Sequence, residues 1–191
     1  MADEPRSDVR ERMIRSAEVL FGERGFAATG LRDVVAHSST PRGSIYHHIP
    51  GGKAELAHAV LERAGEAATA AFTGDDGDPV AMLHACLDGW RRLLAETDYR
   101  AGSAILAIAL EPDEQTGARD AAAAAFTRWA DAFAATLQAS GVRRKKSARL
   151  ATLAVASIEG AVVMSRARGD TQPLDAVERE LEAAIAAAQH K

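Results

Sequence analysis

Along almost the whole chain apolar residues recur every three or four positions. Nowhere do apolar and polar residues alternate over a stretch long enough to build a sheet. Alanine fills 43 of the 191 positions, and β-branched or aromatic runs are scarce. Both facts favour helix. The chain is therefore expected to be all-α, with about nine helices. Hydrophobic residues make up 47% and charged residues 26%, a globular rather than a disordered composition. The length suits one large or two small domains with a real core.

Several function classes fall away. The single cysteine, Cys86, excludes an internal disulfide framework and any paired-cysteine metal or redox motif. No 18-residue uncharged apolar run is present, so no membrane span is expected. The start, Met1-Ala2-Asp3-Glu4-Pro5-Arg6, is charged and has no apolar signal-peptide core, so the expected location is cytoplasmic. No Ser-His-Asp frame, catalytic carboxylate pair, metal-ligand spacing or phosphate-cradling glycine loop stands out. The expectation is a protein that is not an enzyme and needs no cofactor or metal. A net charge of −4 argues against non-specific coating of nucleic acid. The distribution of charge says more. From Val34 to Ala54 there is no carboxylate, and that window holds Arg42, Lys53, His37, His47 and His48.

The first helix is expected near Ser7 or Asp8, with Asp8 and Glu11 as a capping box. Val9, Met13, Ile14, Ala17, Leu20 and Phe21 follow at helical spacing, and Gly22 and Gly25 mark the end. A short helix after Thr29-Gly30 would bury Leu31, Val34 and Val35 and break at Ser38-Ser39. A third would open at Thr40-Pro41, with threonine as cap and proline in the first turn. Ile45 and Ile49 form its apolar face, and Pro50-Gly51-Gly52 stop it. A long helix spans about 53–72, and 73–79 is a loop. Helical segments follow at about 80–97, 101–111, 117–139 and 147–168, with a last one from Pro173. Pro112-Asp113 break the pattern, and the basic run Arg143-Arg144-Lys145-Lys146 reads as a solvated loop. His58 with Glu62, and His84 with Asp88, read as surface pairs at helical spacing.

Two short helices joined by a tight turn read as a helix-turn-helix. On a wheel of about 100° per residue, Ile45 and Ile49 share one side. Gly43, Ser44 and His47 lie opposite, with Tyr46 and His48 on the flanks. A packed back and an acid-free polar front suit the major groove of DNA, where acceptors abound and phosphates repel carboxylates.

The frame Phe21-Gly-Glu-Arg-Gly25-Phe26-Ala-Ala-Thr29-Gly-Leu-Arg-Asp33-Val34-Val35, then Pro41-Arg42-Gly43-Ser44-Ile45-Tyr46-His47-His48-Ile49 and Lys53-Ala-Glu55-Leu56, resembles the N-terminal domain of TetR-family transcriptional regulators. The Tyr-His-His-x-Pro-Gly-Gly-Lys form is similar to the LmrA/YxaF-type subgroup, and Ile158-Glu159-Gly160-Ala161 extends that likeness. The family usually has Ala-Gly-Val where Ser38-Ser39-Thr40 stand here, so Ser39 must take the turn geometry. Ile49 stands where an aromatic is usual.

The resemblance implies a DNA-binding domain over 1–55 and a ligand-binding and dimerisation domain over 56–191. By position, Arg42, Gly43, Ser44 and His47 would face base edges. Tyr46, His48, Thr40 and Lys53 would meet phosphates, and Arg32 would reach a base. Arg6 is a further, minor-groove candidate. Met82, Cys86, Trp90, Phe126, Trp129 and Phe133 are candidates to line an effector pocket, and equally what a core requires; Cys86 in particular reads as packing. Few of them are charged, which favours an apolar or aromatic effector. Glu159 lies in an apolar helix and would anchor a cationic ligand or pair with Arg128 or Arg166. Small residues from Leu150 to Val163 (Ala154, Ser157, Gly160, Ala161) suit a helical dimer interface. The expected protein is a homodimeric repressor that binds a palindromic duplex DNA operator and is released by a small effector. The alternatives are an activator, a repressor without a ligand, and a helical ligand-binding or interaction protein with a weakened DNA domain.

Overall fold

The computed structural model describes residues 6–41, 43–72, 77–111 and 117–189. These residues form nine α-helices and no strand: α1 (Arg6–Arg24), α2 (Leu31–His37), α3 (Ile45–His48), α4 (Gly52–Phe72), α5 (Pro79–Glu96), α6 (Ala104–Ala109), α7 (Ala118–Ala139), α8 (Arg144–Arg168) and α9 (Gln172–Gln189). The all-α expectation holds. Residues 73–76 of the expected loop at 73–79, and the break at Pro112-Asp113, lie outside the described residues, and Pro79 at the end of that loop already begins α5. The chain divides into two compact units. Unit 1 is Met1–Ala64 with Ser103–Ala125, and unit 2 is Gly65–Gly102 with Phe126–Lys191. Unit 1 thus takes in α6 and the start of α7 besides the N-terminal helices.

In unit 1, α1 buries Met13, Ile14, Ala17, Leu20 and Phe21, the spacing read from the sequence. It packs on α2, α3 and α6. Its start differs from the expected capping box. Asp8 lies inside the first turn, and Glu11 accepts from Arg63 of α4 at 2.6 Å, with Glu18 accepting from the same guanidinium at 2.9 Å. A carboxylate within reach of an arginine fork gains a charge-assisted bond, and that partner is invisible to a local spacing rule.

In unit 2, Asp78 caps α5 by accepting from the Val80 N–H at 2.9 Å, with Pro79 in the first position. Leu83, Leu87, Phe133, Leu137, Ile158, Leu174 and Ile185 belong to one buried cluster. The basic run is not a loop: Arg143 is the N-cap of α8, and Arg144, Lys145 and Lys146 make its first turn. Cations are unfavourable at a helix N-terminus. Buried Val142 and the Ser147 hydroxyl, which donates to the Val142 carbonyl at 3.1 Å, fix the start there regardless. α8 is long and apolar enough to cross a membrane by length and composition, but half of its most apolar window is buried inside the unit, as in a core helix.

An ion-pair seam joins α5 to α9. Arg91 reaches Asp175 at 2.9 Å, Glu178 at 2.7 Å and Asp88 at 2.8 Å. His84 bonds Glu182 across the seam, rather than forming the expected pair with Asp88. The ligand atoms of His84, Glu178 and Glu182 lie within 4.8 Å of one another. Both Glu178 oxygens are already held by Arg91, at 3.2 and 2.7 Å, so the group serves as a charge seam. The hydrogen bond to Glu182 raises the His84 pKa, with smaller help from Glu178, Glu182 and Asp88 against desolvation. The seam's contribution from His84 is therefore full below the ordinary histidine value of about 6.5 and is lost as pH rises through the raised folded value. His84→Ala is expected to lower the melting temperature at about pH 6 and to lower it less as pH rises through the raised His84 value. An equal loss at every pH would contradict a charged His84.

Candidate nucleic-acid interface

The helix-turn-helix is built on α2, the turn that follows it at 38–40, and α3. The end of α2 is tied by two backbone bonds. Thr40 N–H donates to the Val35 carbonyl and Ser39 N–H to the Ala36 carbonyl, each at 3.3 Å. That is a Schellman ending with Ser39 at the left-handed position, at φ 54°. The turn geometry required of Ser39 is present. A side chain there costs about 1–2 kcal/mol, and a glycine returns part of that gain by loosening the unfolded chain by about 0.4–1 kcal/mol. Ser39→Gly is expected to stabilise unit 1 by up to about 1 kcal/mol in urea unfolding. A destabilised variant would mean that Ser39 gains more from its side chain than it loses in the backbone.

Thr40 does not cap α3. It is buried, and its hydroxyl lies 2.9 Å from that of Ser38. Ser44 N–H and Ser44 Oγ both donate to the Pro41 carbonyl, at 2.9 and 2.6 Å, making a turn where the sequence suggested helix. α3 therefore begins at Ile45 and is four residues long. Its two faces are as the wheel predicts. Ile45 and Ile49 are buried, Ile49 completely, while Tyr46 is 70% exposed and His47 and Gly43 are exposed. Ser44 and His48 are half-buried. The rings of His47 and His48 meet edge-on, 5.2 Å apart. Arg32 is exposed on α2. Arg42 lies outside the described residues, as does the side chain of Arg6.

The acids that flank this face are occupied by backbone. Asp33 accepts from the Gly30 N–H at 2.8 Å, and Glu55 accepts from the Gly51 N–H at 2.8 Å and from Arg10 at 3.3 Å. A Cβ on Gly51 would sit 2.9 Å from the Glu55 Cβ, so this cap demands glycine. Lys53 does not extend freely from α4. Its Nζ donates to the Ala27 carbonyl at 3.2 Å and stands 4.3 Å from the centre of the Phe26 ring. Sequence reasoning offered no sign of this partner, which comes from a loop 26 residues away.

Comparisons with known proteins agree with this geometry. Residues 13–60 match the family model for bacterial regulatory proteins of the tetR family. Residues 79–180 match that for the C-terminal domain of LmrA/YxaF-like transcriptional regulators. The chain is a TetR-family transcriptional regulator. The regulator is 42% identical over 178 residues to the uncharacterised helix-turn-helix regulator Rv0196 of Mycobacterium tuberculosis, covering 90% of this chain and 91% of that one. It is 30% identical over 173 residues to YxaF of Bacillus subtilis, covering 88% and 91%. A crystal structure of a TetR-family regulator from Agrobacterium tumefaciens shares its fold, with a TM-score of 0.78 at 23% identity over 94% of this chain and 98% of that one. These relatives are regulators, not enzymes.

The seven effector-pocket candidates of this regulator all fall in unit 2. Met82 and Phe133 are buried members of its core, and Cys86, Trp90 and Trp129 pack against that core. Phe126 meets Trp129 edge-on at 6.2 Å. Glu159 is 6% exposed, on the inner face of α8. The buried Trp129 Nε1–H has no hydrogen-bond partner among the described residues. Burial first, and the Glu159 carboxylate second, push the Cys86 thiol up to about 11, so it is protonated at neutral pH and a poor nucleophile.

Proposed function

We propose that this regulator is a homodimeric repressor whose Arg42, Gly43, Ser44 and His47 read base edges, with Arg32 beside them. Tyr46 and His48 hold phosphates. The observation that carries this is the α3 segment itself: a fully packed back at Ile45 and Ile49 behind an exposed, carboxylate-free front. Thr40, being buried, would act on the turn rather than on a phosphate. Residues 1–55 would serve DNA, and 56–191 would serve the effector and the dimer, in the cytoplasm.

An exposed apolar stripe on α8 supports the dimer: Leu153, Val163 and Met164 stand out from unit 2, with Ala156 and Gly160 between them. Ala154 and Ala161, read from the sequence as interface residues, face inward instead. A groove of about 450 Å³ beside Met164, Pro173 and Ala176 continues the stripe. Buried in a two-fold partner, that surface would give a dimer with two α3 segments, the number that a palindromic site read in successive major grooves about 34–36 Å apart requires. A small, largely apolar effector among the aromatic residues around Phe133 would shift the dimer away from that spacing. Coupling of about 1–3 kcal/mol would weaken DNA binding roughly 5- to 150-fold.

The test is fluorescence anisotropy on duplex DNA from upstream of the regulator's own gene, against a scrambled duplex at near-physiological salt. Nanomolar binding with at least ~10³-fold preference is expected. Equal, weak binding to both would overturn operator recognition and favour a ligand-binding protein with a weakened DNA domain.

A further inference from the structure

We propose that Glu111, just past α6, sets how far Lys53 takes part in DNA binding by helping to hold its ammonium against the loop between α1 and α2. This rests on the DNA-binding reading above. Ala27 is gripped on both of its polar groups: its N–H donates to Glu111 Oε1 at 3.2 Å, and its carbonyl accepts from Lys53 Nζ at 3.2 Å. The Phe26 ring beside that ammonium adds a cation–π contact. Glu111 is itself placed, since its carbonyl accepts from Arg119 of α7 at 3.2 Å and its N–H donates to the Ile108 carbonyl at 3.2 Å. All these residues belong to unit 1.

At the start of α4 a lysine would ordinarily add charge where backbone N–H groups attract a phosphate. Here Glu55 has taken the Gly51 N–H, and Lys53 is turned toward Ala27. Partial burial pulls the Lys53 pKa down, and the carboxylates of Glu111 and Asp33 oppose that pull. Asp33 is committed to the Gly30 N–H, while Glu111 is carried by α6 and α7. A phosphate must therefore compete with Glu111 and the Ala27 carbonyl for this cation. Glu111 acts as a positioning residue: it touches no DNA and acts through Lys53.

Two measurements test this. The first needs no DNA. The chain has four lysines, so reductive ¹³C-methylation and NMR resolve Lys53, with Lys53→Arg assigning its signal. In Glu111→Gln the Lys53 amine is expected to titrate at lower pH than in the wild type. An unshifted titration overturns this inference alone. The second is anisotropy of unmethylated protein on the upstream duplex over a salt series. Glu111→Gln is expected to bind roughly fivefold more tightly per half-site, the scale of one partly exposed charge pair, with a log–log salt slope steeper by about 0.9 per phosphate gained. In a Lys53→Gln background the same substitution is expected to change neither. An unchanged slope, or an equal gain in both backgrounds, overturns the inference. If the wild type shows no salt-dependent binding to any duplex while the amine does shift, the DNA-binding reading falls and the inference falls with it.

Discussion

Replacing Ile49 by alanine is expected to cost unit 1 about 2–5 kcal/mol, the range for deleting a fully buried branched side chain. Ile49 is 0% exposed and closes α3, donating its N–H to the Ile45 carbonyl at 2.7 Å and accepting from the Gly52 N–H at 3.0 Å. A helix of four residues cannot hold itself together in water, because nucleation costs more than its few bonds return. The back face of α3 must therefore come from the unit 1 core, and Ile49 is half of it. The loss is a large fraction of a typical domain stability of about 5–15 kcal/mol, so the variant should still fold but unfold at much lower urea. His47→Ala, two residues away on the exposed front, is the control and should stay within about 0.5 kcal/mol of wild type. A loss below 1 kcal/mol for Ile49→Ala would mean that the α3 back face can collapse or is not core, and the rigid presentation of Tyr46 and His47 would lose its basis.

The residues that make α3 legible in sequence are those whose roles depend on period. Ile45 and Ile49, and Met13 through Phe21 on α1, repeat at helical spacing and end up buried together. Ser39 was legible for another reason: the family resemblance sets a turn glycine at its position, and Ser39 takes the left-handed φ of 54° there. Roles set by the choice of a hydrogen-bond or packing partner, near or far in the chain, were not legible. Thr40 looks like a cap in sequence but spends its hydroxyl beside Ser38, and so α3 starts a turn later. Glu11 looks like half of a capping box but meets Arg63, which is 52 residues away. Arg143 to Lys146 look like a loop because four cations oppose a helix dipole, yet Val142 and Ser147 decide where α8 starts. Lys53 kept its expected place at the start of α4 but not its expected direction, because Ala27 and Phe26 come from a separate loop. Periodicity can be read from the pattern alone, whereas which partner a polar side chain takes is settled only in the packed structure.

Tyr46→Phe is expected to weaken operator binding roughly 30-fold, about 1 kcal/mol for each lost phenol hydrogen bond in each of two half-sites. Tyr46→Ala should cost more, because on the proposed reading it would also remove the packing of the exposed ring against the DNA backbone. The pattern of the loss identifies the contact. A phosphate contact positions the protein without reading sequence, so binding to operator and to scrambled DNA should fall together and their ratio should hold. A phenol carries no charge and releases no counterion, so the log–log salt slope should stay at the wild-type value. Arg42→Ala should behave differently in both respects. Loss of a bidentate guanine contact removes about 1–3 kcal/mol of discrimination per half-site, so its preference for the operator should shrink. Stability is the remaining control. Tyr46 is 70% exposed and adds little to the core, so neither Tyr46 variant should shift urea unfolding by more than about 0.5 kcal/mol. Full operator affinity in Tyr46→Ala would place the DNA interface somewhere other than the front of α3. A loss confined to the operator, with scrambled DNA bound as before, would make Tyr46 a base reader and move the phosphate contacts to its neighbours.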